Sequence, residues 1–248
     1  MPVIAETSLL HDLLTSAPGA DDRGDVGPSG SGVSPGGAVF PRASTAGGPP
    51  VPRGPEQVLP LEEALCRRRS VRAFGAEEVS RSDVDFIIGS GLAAERTQQA
   101  PGTHPDMGVT IATAAFNVGG LEPGLYLPAA AAGAVCGRGP GAQWLAGLQA
   151  QYADAPALLL VCGNLARACA AKGRRGYPQL LVRAGAAGYG AWLAAVSIGL
   201  AGCAFGGSNH RVTAAMSRHG GEPLRHLFTV AIGYPGGRPP SGQDAHDC

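Results

Sequence analysis

Apolar positions along this chain change rhythm several times, and each change predicts an element. Leu61, Ala64 and Leu65 recur at helical spacing, with Glu62 and Glu63 where a helix start favours negative charge, so a helix runs from near Leu59 into Arg67-Arg68-Arg69-Ser70. Ser80-Arg81-Ser82-Asp83 offers N-cap side chains, Asp83 among them, to a second helix bearing Val84, Phe86, Ile87, Ile88 and Leu92, and Gly89 and Gly91 are placed to end it. Val109 to Phe116 is β-prone, and Gly124-Leu125-Tyr126-Leu127 can return beside it after the turn Glu122-Pro123-Gly124, which predicts a hairpin. Ala155 to Cys162 is a continuous apolar run closed by Gly163-Asn164, the pattern of a central buried strand. Gln179 to Ile198 has no proline, is rich in alanine and carries Leu181, Trp192, Leu193 and Val196, so it reads as a long, largely buried helix. Leu227 to Gly233 closes the order as a strand. Such an order gives an α+β architecture with a central sheet flanked by helices, not strict βαβ repetition.

Before Leu59 the pattern fails. From Pro18 to Pro55 glycine, proline, serine, alanine and aspartate dominate, which cannot offset ordering entropy by burial, so this stretch is expected to be a disordered arm. Ser8 to Thr15 keeps a short helical apolar pattern, either a docking segment or a frayed turn. The chain thus divides into an N-terminal segment and arm over 1–58 and a folded domain over 59–248. With 19 basic and 19 acidic residues the net charge is zero, which argues against nucleic acid or an anionic membrane as partner. Six cysteines show neither a C-x-x-C pair nor metal spacing, so a reduced, cytoplasmic protein without a metal is expected. The start lacks a basic segment followed by an apolar one, and no stretch reads as the roughly 20 apolar residues that span a bilayer.

Chemistry concentrates in Arg67-Arg68-Arg69-Ser70-Val71-Arg72-Ala73-Phe74, where a helix gives way to an extended segment. Four guanidiniums and a hydroxyl there either bind phosphate in bidentate fashion or form a solvated basic turn with surface ion pairs. Gly199 to Asn209, after the long helix, reads as a glycine-rich loop whose backbone N–H groups can approach a ring or a phosphate. Trp144 and Trp192 are expected in the core, and the histidines other than His104 on the surface or in loops.

Taken in order, these segments resemble the nitroreductase family. Leu61 to Phe74 followed by Val79-Ser80-Arg81-Ser82-Asp83-Val84 is similar to its opening, in which an R-R-S-x-R-x-F run binds FMN. Val118-Gly119-Gly120-Leu121-Glu122-Pro123-Gly124-Leu125-Tyr126 looks like a turn of the SagB-type azoline dehydrogenase branch, as do Gly199 to Gly207, Val230 to Pro235 and the opening Leu10 to Thr15. The resemblance implies an FMN at the interface of a homodimer. Arg68, Ser70 and Arg72 would contact its phosphate, ribityl chain or pyrimidine edge; Gly206 and Gly207 would face its ring; Thr103 and Arg238 would add contacts. It also implies removal of two electrons from azoline rings of a ribosomally made peptide, alongside other peptide-modifying enzymes. The alternatives are an NAD(P)H-dependent nitro- or flavin reductase and a non-catalytic scaffold subunit.

At some positions the chain departs from that pattern. Where the branch has a Lys-Tyr pair before G-x-R-x-Y, this chain reads Ala171-Lys172-Gly173-Arg174-Arg175-Gly176-Tyr177, which leaves Lys172 as a base or a solvated loop lysine and Tyr177 as a proton donor or a core aromatic. The E-a-G-H of the long helix is Arg183-Ala184-Gly185-Ala186 here, and the P-S-x-G loop has become Ala100-Pro101-Gly102-Thr103-His104-Pro105.

Overall fold

Seven residues that are all buried, Ala157–Gly163, form the central strand β5. This computed structural model describes residues 58–97, 106–127, 143–219 and 222–236. The arm, the Ser8–Thr15 pattern, Thr103, His104 and Arg238 lie outside them. Around β5 the described elements follow in the order α1 (Leu61–Arg67), β1 (Val79–Ser80), α2 (Arg81–Thr97), β2 (Thr110–Ala115), β3 (Val118–Gly119), β4 (Gly124–Tyr126), α3 (Gln143–Gln151), β5, α4 (Leu165–Lys172), α5 (Gly176–Ser197), β6 (Ala201–Gly206), α6 (His210–His219) and β7 (Arg225–Gly233).

Five strands make one antiparallel sheet in the order β4-β2-β5-β7-β6, and β1 pairs with β3 in a short parallel ribbon. The expected hairpin is present, with Thr113 opposite Tyr126 and Ala115 opposite Gly124. Alternation along β5 sends Leu159 and Val161 to one face and Leu158 and Leu160 to the other, each fully buried. The first face is covered by α2 and α5 through Val84, Ile87, Ala184, Ala187, Ala191 and Ala195. The second is covered by α3 and α6 through Leu145, Leu148, Val212, Ala215 and Met216. Burying each leucine contributes about 1.5–3 kcal/mol, so apolar burial holds helices to both faces of the sheet.

Several sequence expectations need correction. Ser80, not Asp83, caps α2, its hydroxyl accepting the Asp83 N–H at 3.0 Å. Gly89 and Gly91 do not end that helix, which continues to Thr97. Gly91 is there for approach: a Cβ on it would stand 2.5 Å from the Ala187 carbonyl oxygen of α5 and 2.8 Å from the Ala191 Cβ. The glycine-rich stretch expected to be a loop is mostly strand β6, because Gly202 lets the Trp192 indole lie directly on the sheet. The run Leu165–Ser197 is long and apolar enough by composition to cross a membrane, contrary to the sequence reading. It is a helix of the core: Gly173–Arg175 breaks it, and the buried side of α5 faces the sheet.

His226, expected on the surface, is fully buried on β7. Its Nδ1 accepts the Asn209 N–H at 2.9 Å, which leaves the proton on Nε2, donated to Thr229 Oγ1 at 3.0 Å. Burial pushes its pKa down from 6.5 to about 4, a backbone hydrogen bond at Phe228 pulling the other way. Because the unfolded chain takes up this proton first, the stability that neutral His226 lends is complete above pH 6.5 and is lost as pH falls toward 4. The loss should reach about 3 kcal/mol near pH 4. Thermal unfolding followed from pH 7 to pH 4 should show it, and His226→Gln should flatten the slope.

Candidate functional site

The arginine run divides by geometry. Arg67 pairs with Glu63 one turn back, and Arg69 Nη1 donates to the Cys66 carbonyl at 2.8 Å and the Arg68 carbonyl at 2.9 Å, so both finish the C-terminal end of α1. Arg68 and Arg72 do neither. The Arg68 guanidinium stands 4.7 Å over the Trp192 ring and that of Arg72 5.9 Å over the Phe205 ring. A guanidinium stacked on an aromatic face keeps its N–H edge free for a planar anion. Among the described residues no carboxylate pairs with either.

Main-chain bonds hold the segment between them against the sheet. Ser70 bridges to Gly202 in parallel, the Val71 N–H donates to the Gly202 carbonyl at 3.0 Å, and further on the Gly75 N–H reaches the Tyr234 carbonyl at 2.8 Å. Since β6 is the last strand of its sheet, Gly202 and its same-parity neighbours Ala204 and Gly206 turn their backbone groups outward from β7. Ala204, Gly206 and Gly207 are exposed, and a Cβ on Gly206 or Gly207 would meet nothing within 4 Å. Gly207 has φ +105°, which favours glycine, so the strand ends in open backbone. Nearby, the buried Trp192 Nε1–H has no hydrogen-bond partner among the described residues.

Arg68, Ser70 and Arg72 are thus strung along the edge of β6, Arg68 over the Trp192 ring that lies on Gly202, Ser70 opposite Gly202, and Arg72 over Phe205, next to the Gly206 and Gly207 end. This exposed strand edge is a candidate cradle: two guanidiniums and a hydroxyl for an anion, bare backbone at Gly206 and Gly207 for the edge of a flat ring. Lys172 and Tyr177 are not part of it. Lys172 ends α4 and Tyr177 opens α5, both half-buried, and at about 1.5 Å per residue the helix sets Tyr177 roughly 22 Å from Trp192. Arg183 lies between them, in a buried ion pair with Glu95 of α2 that joins the two helices. Burial pushes the Cys162 thiol pKa well up, so it is no nucleophile. The stacking roles of Trp192 and Phe205 escaped the sequence reading, because no local pattern ties them to arginines so far away along the chain.

The sheet, its two helical layers and the open glycine end of β6 define a nitroreductase-type α+β fold. Residues 111–234, half of the chain, match the Nitroreductase family, and the chain belongs to that family of flavin-dependent oxidoreductases. A protein of Anabaena variabilis described as a nitroreductase superposes with a TM-score of 0.54 at 24% identity, covering 71% of this chain and 38% of its own length. This chain therefore spans well under half of that protein. The Vibrio harveyi NADPH:FMN oxidoreductase in complex with NAD+ is similar over 75% of this chain and 74% of its own, with 23% identity and a TM-score of 0.47. Nitroreductase A of Vibrio parahaemolyticus is 19% identical over 72% of this chain and 69% of its own, with a TM-score of 0.46. No curated protein matches the chain significantly. The matched span includes Gly206 and Gly207, while Arg68, Ser70 and Arg72 precede it.

Proposed function

We infer that this chain is an FMN-dependent oxidoreductase that works as a cytoplasmic homodimer and oxidises azoline rings in a ribosomally made peptide, together with other peptide-modifying enzymes. The observation that carries the cofactor assignment is the seating of Arg68 and Arg72 along the edge of β6, stacked on rings and without acidic partners among the described residues. The donor set fits the group: Arg68, Ser70 and Arg72 hold the phosphate, ribityl chain or pyrimidine edge, and Gly206 and Gly207 admit the ring. Thr103 and Arg238 are carried over as further contacts by their places in the sequence. Bound FMN would supply a centre that exchanges two electrons as hydride. In the homodimer, Lys172 or Tyr177 of the partner subunit would move the proton that leaves the azoline ring.

The exposed faces of α1 and α5 support the homodimer. Leu61, Leu65, Leu181, Val182 and Tyr189 are exposed, Val182 to 67%, apolar side chains that a partner subunit would cover. Tyr189 meets Trp192 edge-on at 6.3 Å, so this apolar surface runs up to the ring under Arg68. A second copy seated there would wall the open side of the cradle and bring side chains from its own α5.

A second reading, an NAD(P)H-dependent nitro- or flavin reductase, is favoured by the separation of Lys172 and Tyr177 from the cradle within one protomer. Hydride passed in from a nicotinamide needs no base there. The visible spectrum of the purified protein, with and without added FMN, tests the shared part. Flavin absorption is expected, and a colourless protein that cannot be reconstituted would leave the scaffold. Anaerobic addition of NAD(P)H or of an azoline peptide then separates the two enzymes by which one bleaches the flavin. If Lys172 is the base, Lys172→Ala should abolish peptide turnover and leave FMN binding unchanged. Full turnover in that variant would remove the lysine from the reaction.

A further inference from the structure

On the second face of the sheet, a cavity of about 260 Å³ opens between α3 and the turn that enters α6. None of its residues takes part in the cradle. One wall is apolar: Trp144, half-buried, stands beside the fully buried Leu148, and Gly147 adds no side chain. The rest of the lining is polar, with Gln151, Asn209, His210 and Arg211. Asn209 Oδ1 accepts the backbone N–H groups of Arg211 at 2.9 Å and Val212 at 3.2 Å, so those first amides of α6 are already bonded. The positive charge of the cavity therefore belongs to the Arg211 side chain, which has no carboxylate partner among the described residues, and no acidic residue lines the wall.

A small anion alone would leave the indole wall wet, and an apolar ring alone would leave the guanidinium unanswered. A dinucleotide exceeds the volume, which lies just below the usual range for ligand sites. We propose that this cavity binds an aromatic ring carrying a carboxylate a short chain away, the ring against Trp144 and Leu148 and the carboxylate on Arg211 with His210. Arginine grips a carboxylate through two parallel N–H bonds, and an indole face accepts a second ring at modest entropic cost. The assignment does not depend on FMN or on the family's chemistry.

The test is a titration of the full chain with 3-phenylpropanoate, read by ligand-observed NMR, with 3-phenylpropanamide as the neutral isostere. The acid should bind with a Kd of about 1 mM, as befits so small a ligand. The amide should bind at least about tenfold more weakly, as should the acid to Arg211→Gln, a substitution at an exposed position that leaves the core intact. Added FMN should not displace the acid. Equal binding of acid and amide, unchanged binding to Arg211→Gln, absence of binding well above the millimolar range, or displacement by FMN would each overturn the proposal. Where the acid binds as expected, a peptide ending in phenylalanine with a free C-terminus tells the source: competition assigns the site to a chain end, and failure to compete assigns it to a free small acid.

Discussion

The double variant Arg68→Ala, Arg72→Ala is expected to lose FMN almost completely, its affinity falling by about two orders of magnitude or more. Each guanidinium would give charge-assisted bonds to the cofactor's phosphate or pyrimidine edge, worth about 1.5–3 kcal/mol apiece, and the two together cover at least a hundredfold in Kd. Both side chains stand on the surface of rings that belong to the core, so their truncation removes a stacked cation and no buried volume. Fluorescence titration with FMN gives the affinity, and circular dichroism with sedimentation checks that fold and assembly persist. Unchanged flavin content would show that the cradle has been placed on the wrong residues. The single variants Arg67→Ala and Arg69→Ala serve as controls, because those two guanidiniums are engaged by Glu63 and by carbonyls of α1.

The largest effect on stability is expected from the ion pair between Glu95 and Arg183. Their side chains are 7% and 14% exposed, on the facing helices α2 and α5. Glu95→Ala leaves a guanidinium largely desolvated and should lower the unfolding free energy by about 3–5 kcal/mol. Replacing both partners together, Glu95→Met with Arg183→Leu, should restore most of that loss, since paired apolar side chains need no compensating charge. Denaturant unfolding of the three variants measures this directly. A double replacement as unstable as Glu95→Ala alone would mean that the pair has a positive role beyond mutual neutralisation.

Legibility of the chain followed the range of the interactions involved. β5, the β2–β4 hairpin and α5 could be read from sequence because their apolar patterns are local and each faces one or two layers of core. Gly91 and Gly202 misled because glycine has two uses. The same residue ends a helix or loosens a strand when alone, but permits close approach when another helix or an indole lies against it, and only the fold supplies that neighbour. His226 was read as a loop group because nothing adjacent to it shows that Asn209 and Thr213 close over it. At the cradle, the resemblance already set Arg68 and Arg72 apart within the arginine run, but it carried no physical reason. What distinguishes Arg68 and Arg72 from Arg67 and Arg69 is the aromatic ring beneath each, a relation fixed by tertiary structure.

The segment that bears those arginines is fastened to the rest of the domain chiefly through its own backbone. Leu59 N–H reaches the Ser197 carbonyl at 2.8 Å, Val71 N–H the Gly202 carbonyl at 3.0 Å, Gly75 N–H the Tyr234 carbonyl at 2.8 Å, and Gly236 N–H the Ala73 carbonyl at 2.7 Å. Main-chain bonds of this kind are blind to the side chains between them. Anchorage and ligand chemistry are consequently written in separate parts of the same residues, so Arg68, Ser70 and Arg72 are open to replacement over evolutionary time without reopening the question of how the segment is attached.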